Sequence, residues 1–176
     1  DPRDIGSGNI GATNVARAVG KTAGFLTLTG DALKGLLPVA VATHLGVGEA
    51  GRALVALAAF TGHLYPCFLG FQGGKGVAVA LGVLLGLAPL GMAVAVPTFL
   101  LAVAVTRYVS LGSILAAAVT PAVLAAFGYP LPTTLVALVM GVWIAFRHRD
   151  NIRRMRFGTE SRVGDRPSTF PDSGYA

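Results

Sequence analysis

The chain has 176 residues, 53% of them hydrophobic and 12% charged; ordinary soluble domains carry about twice that charge, so a soluble globular fold is excluded at the outset. The formal charge of +6 comes from 14 Lys and Arg against 8 Asp and Glu, yet residues 53–74, 76–106 and 108–146 contain none of these four types. That distribution excludes a basic nucleic-acid-binding domain and fits anionic headgroups or a phosphorylated substrate instead; the single Cys67 excludes an intramolecular disulfide.

No cleavable signal peptide opens the chain, whose first residues are polar and glycine-rich. Because it begins at Asp1 without methionine, the chain is expected to be a fragment that has lost something upstream. The opening stretch, Gly6–Arg17, holds three glycines, hydroxyls, amides and an arginine. Glycines allow backbone N–H groups to approach an anion, and Arg17 adds a planar fork of donors, so the composition suits a phosphate or carboxylate; a solvent-exposed turn has a similar composition. Gly6, Gly8 and Gly11 also match the spacing G-x-G-x-x-G, with Asp31 twenty residues on. A dinucleotide site needs a preceding strand and a βαβ unit, and neither is present.

Ala32–Val47 is the first apolar segment, with Asp31 and Lys34 at its start and His44 near its end. Asp31 and Lys34 share a helix face and can pair; charges at the mouth of an apolar segment are either a structural pair or part of a site. Arg52–Phe71 follows, long enough to cross a hydrocarbon layer. Near its end His63, beside Gly62, could line a site, whereas His44 lies toward the opposite face. Gly73-Gly74-Lys75-Gly76 lacks the Walker spacing but remains a candidate glycine-lysine anion loop or a simple turn. Val77–Ala88 and Gly91–Thr106 are two short segments separated at Pro89. After Arg107, Ser110 reads as a helix cap, and Ser113 could face a cavity. Leu111–Phe127 and Leu131–Phe146 complete six expected membrane segments. His148 and Asn151 stand at helical spacing directly after them, among seven arginines between Arg147 and Arg166 and with Glu160 as a carboxylate brace. Either member of that pair could bind or move a proton, or the whole group could be a basic membrane-surface helix. Residues 161–176 read as a flexible tail.

If every segment crosses, residues 1–29, 72–76, 107–110 and 147–176 share one side. They carry nearly all the positive charge, so that side is expected to be cytoplasmic. No zinc or iron–sulfur ligand pattern, G-x-S-x-G elbow or H-x-x-x-x-D arrangement is present, and no metal or cofactor is expected.

Three stretches carry a resemblance: Gly6–Asn14 with Arg17; Gly70–Ala78; and His148–Arg154 with Gly158-Thr159-Glu160. Gly30–Gly35, Gly62-His63 and Ser110–Ile114 add to it. Together they resemble the bacterial membrane acyl-phosphate:glycerol-3-phosphate acyltransferases, the PlsY family, from about Asp4 to Glu160. The resemblance implies an all-α polytopic membrane protein forming one acyltransferase domain over residues 1–176. The complete family fold has seven membrane helices, and this chain is expected to lack the first. The implied reaction moves an acyl group from acyl phosphate to the 1-hydroxyl of sn-glycerol 3-phosphate, giving lysophosphatidic acid without an acyl-enzyme. The implied setting is the bacterial cytoplasmic (inner) membrane, with the site on the cytoplasmic face and lipids around it. No nucleic acid and no obligate protein partner are expected. By the same resemblance Ser7, Arg17, Lys75, His148 and Asn151 would be catalytic. Gly8, Asn9, Thr13, Asn14, Gly73, Gly74, Gly76, Ser110 and Ser113 would bind substrate, while Asp31, Lys34, His63 and Glu160 would support them. The competing reading is a transporter or binding protein for an organic phosphate or phospholipid, against which stands the absence of charge along Leu111–Phe146.

Overall fold

The computed structural model describes residues 8–165. Ser7 and residues 166–176 of the expected tail therefore lie outside the described residues. Among the described residues the chain is helical: α1 (Ala12–Ala18), α2 (Lys21–His44), α3 (Glu49–Leu64), α4 (Val77–Leu87), α5 (Pro89–Thr106), α6 (Val109–Ala126), α7 (Leu131–Arg147) and α8 (Arg149–Arg156). A 3-10 turn, Cys67–Leu69, leads from α3 into the glycine loop.

The expectation of six membrane segments does not hold. Four helical stretches are long and apolar enough to cross: Lys21–His44, Glu49–Leu69, Pro89–Thr106 and Val109–Ala126; the pair α7 and α8, bent by 52°, makes a fifth if counted as one span. Hydropathy marks α4 as apolar, but Pro89 begins a new helix after only 11 residues. At 1.5 Å per residue that is about 16 Å, roughly half the hydrocarbon layer. The first segment is also longer than its apolar core suggests. Helix α2 begins at Lys21, so Asp31 lies well inside it rather than at its start.

Close helix packing depends on small residues. A Cβ on Gly35 would overlap the carbonyl oxygen of Val79, and one on Gly82 would overlap that of Ala32, so α2 and α4 touch backbone to backbone, as small-residue membrane interfaces do. Helices α5, α6 and α7 pack in sequence, and α3 lies against α2 and α7. Val39, Phe60, Leu64, Val79, Val83, Met140 and Ile144 form the main buried cluster; a second, with Leu84, Ala88, Ala95, Leu124 and Ala137, lies deeper between α4, α5, α6 and α7. Leu54, Leu101 and Val105 remain exposed on outer faces, as expected of side chains whose solvent is lipid.

Candidate functional site

Where α1, the loop before α4, the start of α6 and the α7–α8 bend meet, they enclose a cavity of about 350 Å³. Its walls include Asn9, Thr13, Asn14 and Arg17 from the opening stretch, and Asp31 and His63 from α2 and α3. Lys75 and Gly76 come from the glycine loop, Ser110 and Ser113 from α6, and His148, Asn151 and Glu160 from the C-terminal part. Lys75 and Ser110 flank the α4–α5 hairpin, and their shared cavity means that the hairpin returns the chain to the end it left. The convergence of the polar stretches therefore survives the corrected span count. Gly8, Lys34, Gly73 and Gly74 do not line the cavity: Lys34 is exposed, and the two glycines lie behind Lys75.

The glycine loop is held from two sides. Gly73 N–H donates to Leu64 O at 3.1 Å, while Arg147 Nη2 donates to the carbonyl oxygens of Gly73 at 2.6 Å and Gly74 at 3.0 Å. Gly76 follows with φ 80°, a left-handed conformation that an L side chain would strain. Arg147 appeared in sequence only as one of a basic group. The signal that singles it out is helical spacing from the buried face of α7, which runs Met140, Ile144 and Arg147 in steps of four and three.

Lys75 Nζ donates to Asn151 Oδ1, and Asn151 Nδ2 donates to Glu160 Oε1 at 2.6 Å. Both ends of the amide are committed, which fixes its orientation. Ser110 Oγ donates to the same oxygen at 2.8 Å, and Arg154 Nε donates to Oε2 at 2.7 Å. Ser110 is thus a partner of Glu160 and not a helix cap, since α6 has no side-chain cap. Burial opposes ionisation of Glu160, but the bonds from Asn151, Arg154 and Ser110, with the Arg154 charge, outweigh it and hold the carboxyl below its usual range. Burial lowers Lys75 to about 8; the nearby Glu160 and Asp150 favour its charge, and Arg154 and Arg147 oppose it.

His148 is 3% exposed. Its Nδ1 lies 2.8 Å from Ile144 O; a carbonyl only accepts, so Nδ1 carries the proton and Nε2 is left for a ligand. Ser113 Oγ donates to Val109 O at 3.0 Å. In the opening turn Gly11 N–H donates to Asn9 Oδ1 at 2.8 Å. Arg17 reaches Ser161 O at 3.5 Å, and Val163 N–H donates to Arg107 O at 2.8 Å, so the first residues of the expected tail are tied across the cavity.

A second cavity of about 450 Å³ runs from this one between α2, α4, α5, α6 and α7. Ala12, Thr13, Leu28, Val77, Ala78, Phe99 and Ser113 belong to both walls. Its deeper lining, including Leu84, Ala95, Ala137 and Met140, is apolar. A charged head and a hydrocarbon tail joined in one molecule would match the two spaces together.

The family model described as glycerol-3-phosphate acyltransferase matches residues 1–158. The chain is 55% identical over 162 residues to the glycerol-3-phosphate acyltransferase of Geobacter sulfurreducens, covering 92% of this chain and 84% of that protein. It is 47% identical over 180 residues to the enzyme of that name from Burkholderia orbicola, covering 100% and 86%. Two crystal structures of PlsY, described as an integral membrane glycerol 3-phosphate acyltransferase, share 42% identity with it. The glycerol 3-phosphate form has a TM-score of 0.90 over 93% of this chain and 82% of that one. The lysophosphatidic acid form has a TM-score of 0.85 over 90% and 81%.

Proposed function

The chain belongs to the glycerol-3-phosphate acyltransferase family, and on that premise we propose how its two cavities carry out the reaction. It is a multi-pass protein of the inner membrane that transfers an acyl group from acyl phosphate to the 1-hydroxyl of sn-glycerol 3-phosphate, releasing lysophosphatidic acid and inorganic phosphate. The acyl tail occupies the apolar cavity, and both phosphates lie in the polar one. The observation that carries this reading is the wall the two cavities share, which puts a tail and its activated head in adjoining spaces.

Lys75, held by Asn151, meets the phosphate of glycerol 3-phosphate, while Arg17, with Asn9, Thr13 and Asn14 of the opening turn, receives the acyl-phosphate head. Ser113 and His148 Nε2 complete the polar wall. Glu160 keeps Asn151 and Arg154 in place and takes no proton. The glycerol 1-hydroxyl attacks the acyl carbon, forming the ester C–O bond as the bond from that carbon to the bridging phosphate oxygen breaks. The leaving phosphate departs with the electron pair and accepts the hydroxyl proton. The mixed anhydride is already activated, so the protein needs no nucleophile; it aligns the reactants and neutralises developing charge.

The site faces the cytoplasm, a reading supported by Arg17, Lys21, Lys75, Arg107 and the α8 arginines at the cavity end. The opposite turn carries only the Glu49–Arg52 pair. Purified protein in detergent, incubated with acyl phosphate and glycerol 3-phosphate, should release inorganic phosphate and lysophosphatidic acid in equal amounts. Release of phosphate without acylated glycerol phosphate overturns the reading.

A further inference from the structure

Two ionisable residues on the polar wall have no task in this mechanism: Asp31 on α2 and His63 on α3. Asp31 is 6% exposed, and a carboxylate so buried needs partners. Lys34 Nζ lies 2.8 Å from Asp31 Oδ1, and His63 Nδ1 lies 3.5 Å from the same oxygen. The other edge of the imidazole is the surface on which the glycine loop rests. A Cβ on Gly74 would overlap His63 Nε2 and come within 2.9 Å of Cε1, and one on Gly73 would overlap the His63 carbonyl oxygen. With Arg147 holding the carbonyls of the same two glycines, the residues just before Lys75 are confined between an imidazole and a guanidinium.

Resting on the acyl-transfer reading, we propose that Asp31 and His63 are positioning residues for that reaction. The carboxylate sets the imidazole, the imidazole sets where the Gly73–Gly76 loop crosses the end of α3, and the loop delivers the Lys75 ammonium to the substrate phosphate. Neither residue touches a reacting atom. Their effect passes through a rigid contact, and a displacement of the reacting geometry by about 1 Å can cost about a hundredfold in rate. The absence of a side chain at Gly74 is then a requirement set by His63, and the two positions must be energetically coupled.

The full chain in detergent, with kcat and KM measured for both substrates, tests this through a double-mutant cycle. Gly74→Ala drives a methyl group into the ring and should lower kcat/KM for glycerol 3-phosphate about a hundredfold. His63→Ala removes the ring and should cost about tenfold alone, yet combined with Gly74→Ala it should restore about tenfold of the loss. Asp31→Asn, which keeps the shape and removes the charge, should give a smaller loss in the same parameter. The proposal is overturned if the double variant is no better than Gly74→Ala, or if His63→Ala and Asp31→Asn both match the wild type. If His63→Ala does not fold, His63→Ser removes the ring in its place. A wild type without turnover overturns the acyl-transfer reading instead; the cycle is then read by calorimetric titration of glycerol 3-phosphate, and equal affinities across it overturn the positioning role.

Discussion

At the scale of single residues, Lys75 links burial to pH dependence. Its depression to about 8 follows from loss of water around the ammonium. The charged form binds phosphate and exists below the pKa, so kcat/KM for glycerol 3-phosphate should be level below pH 8 and fall as pH rises through it. The corresponding limb of kcat should lie higher, because a bound phosphate favours the ammonium; kcat/KM reports the free enzyme. Lys75→Arg should abolish the alkaline limb, since a guanidinium stays charged, and a limb that persists in this variant belongs to another group. Glu160 makes a second residue-scale case. Glu160→Ala removes the acceptor for Asn151, Ser110 and Arg154; Arg154 is 34% exposed and partly solvated, so the expected loss is about 2 kcal/mol. Thermal unfolding in detergent measures it, and activity should fall with it because Asn151 loses its anchor.

At the scale of elements, the close crossing of α2 and α4 makes a prediction that hydropathy alone could not. Gly82→Ala forces two backbones apart and should destabilise by about 1–3 kcal/mol, read as a lower melting temperature in detergent. Gly62→Ala, on an open face with nothing within 4 Å, should be neutral or slightly stabilising, since alanine is the better helix former. Some helix ends were legible: glycine and proline mark the turns at Gly48, Pro89 and Gly128, and the runs Gly91–Thr106 and Leu131–Phe146 fall within α5 and α7, whereas Arg52–Phe71 overruns α3, which ends at Leu64. The span count was not. Composition reports that α4 is apolar, but 11 residues cannot reach across a bilayer, and α7 and α8 are bent by 52° at the break after Arg147. The extra eleven residues at the start of α2 were missed because Thr22, Thr27 and Thr29 read as a polar loop; in the helix the Thr27 hydroxyl donates to Ala23 O at 2.8 Å, so its polarity is satisfied internally.

At the scale of the whole molecule, the apolar cavity should control the tail independently of the head. Ala137→Phe places a ring in its deep lining and should raise KM for long-chain acyl phosphates while leaving KM for glycerol 3-phosphate unchanged. Each methylene displaced should cost about 0.8 kcal/mol, roughly fourfold in kcat/KM. A series of acyl phosphates of increasing length checks this; an unchanged length profile would place the tail elsewhere. The sequence by itself determined the membrane class, the helical elements and the chemical types gathered in the glycine-rich and His148–Glu160 stretches, because hydropathy and short-range spacing are properties of neighbouring residues. Only the tertiary structure decided that Lys75 binds Asn151 across 76 positions, that Arg147 clamps the glycine loop, that Ser110 serves Glu160, and that a polar and an apolar cavity share a wall. Those facts depend on which helix faces meet, and facing is fixed by close packing between segments far apart in the chain.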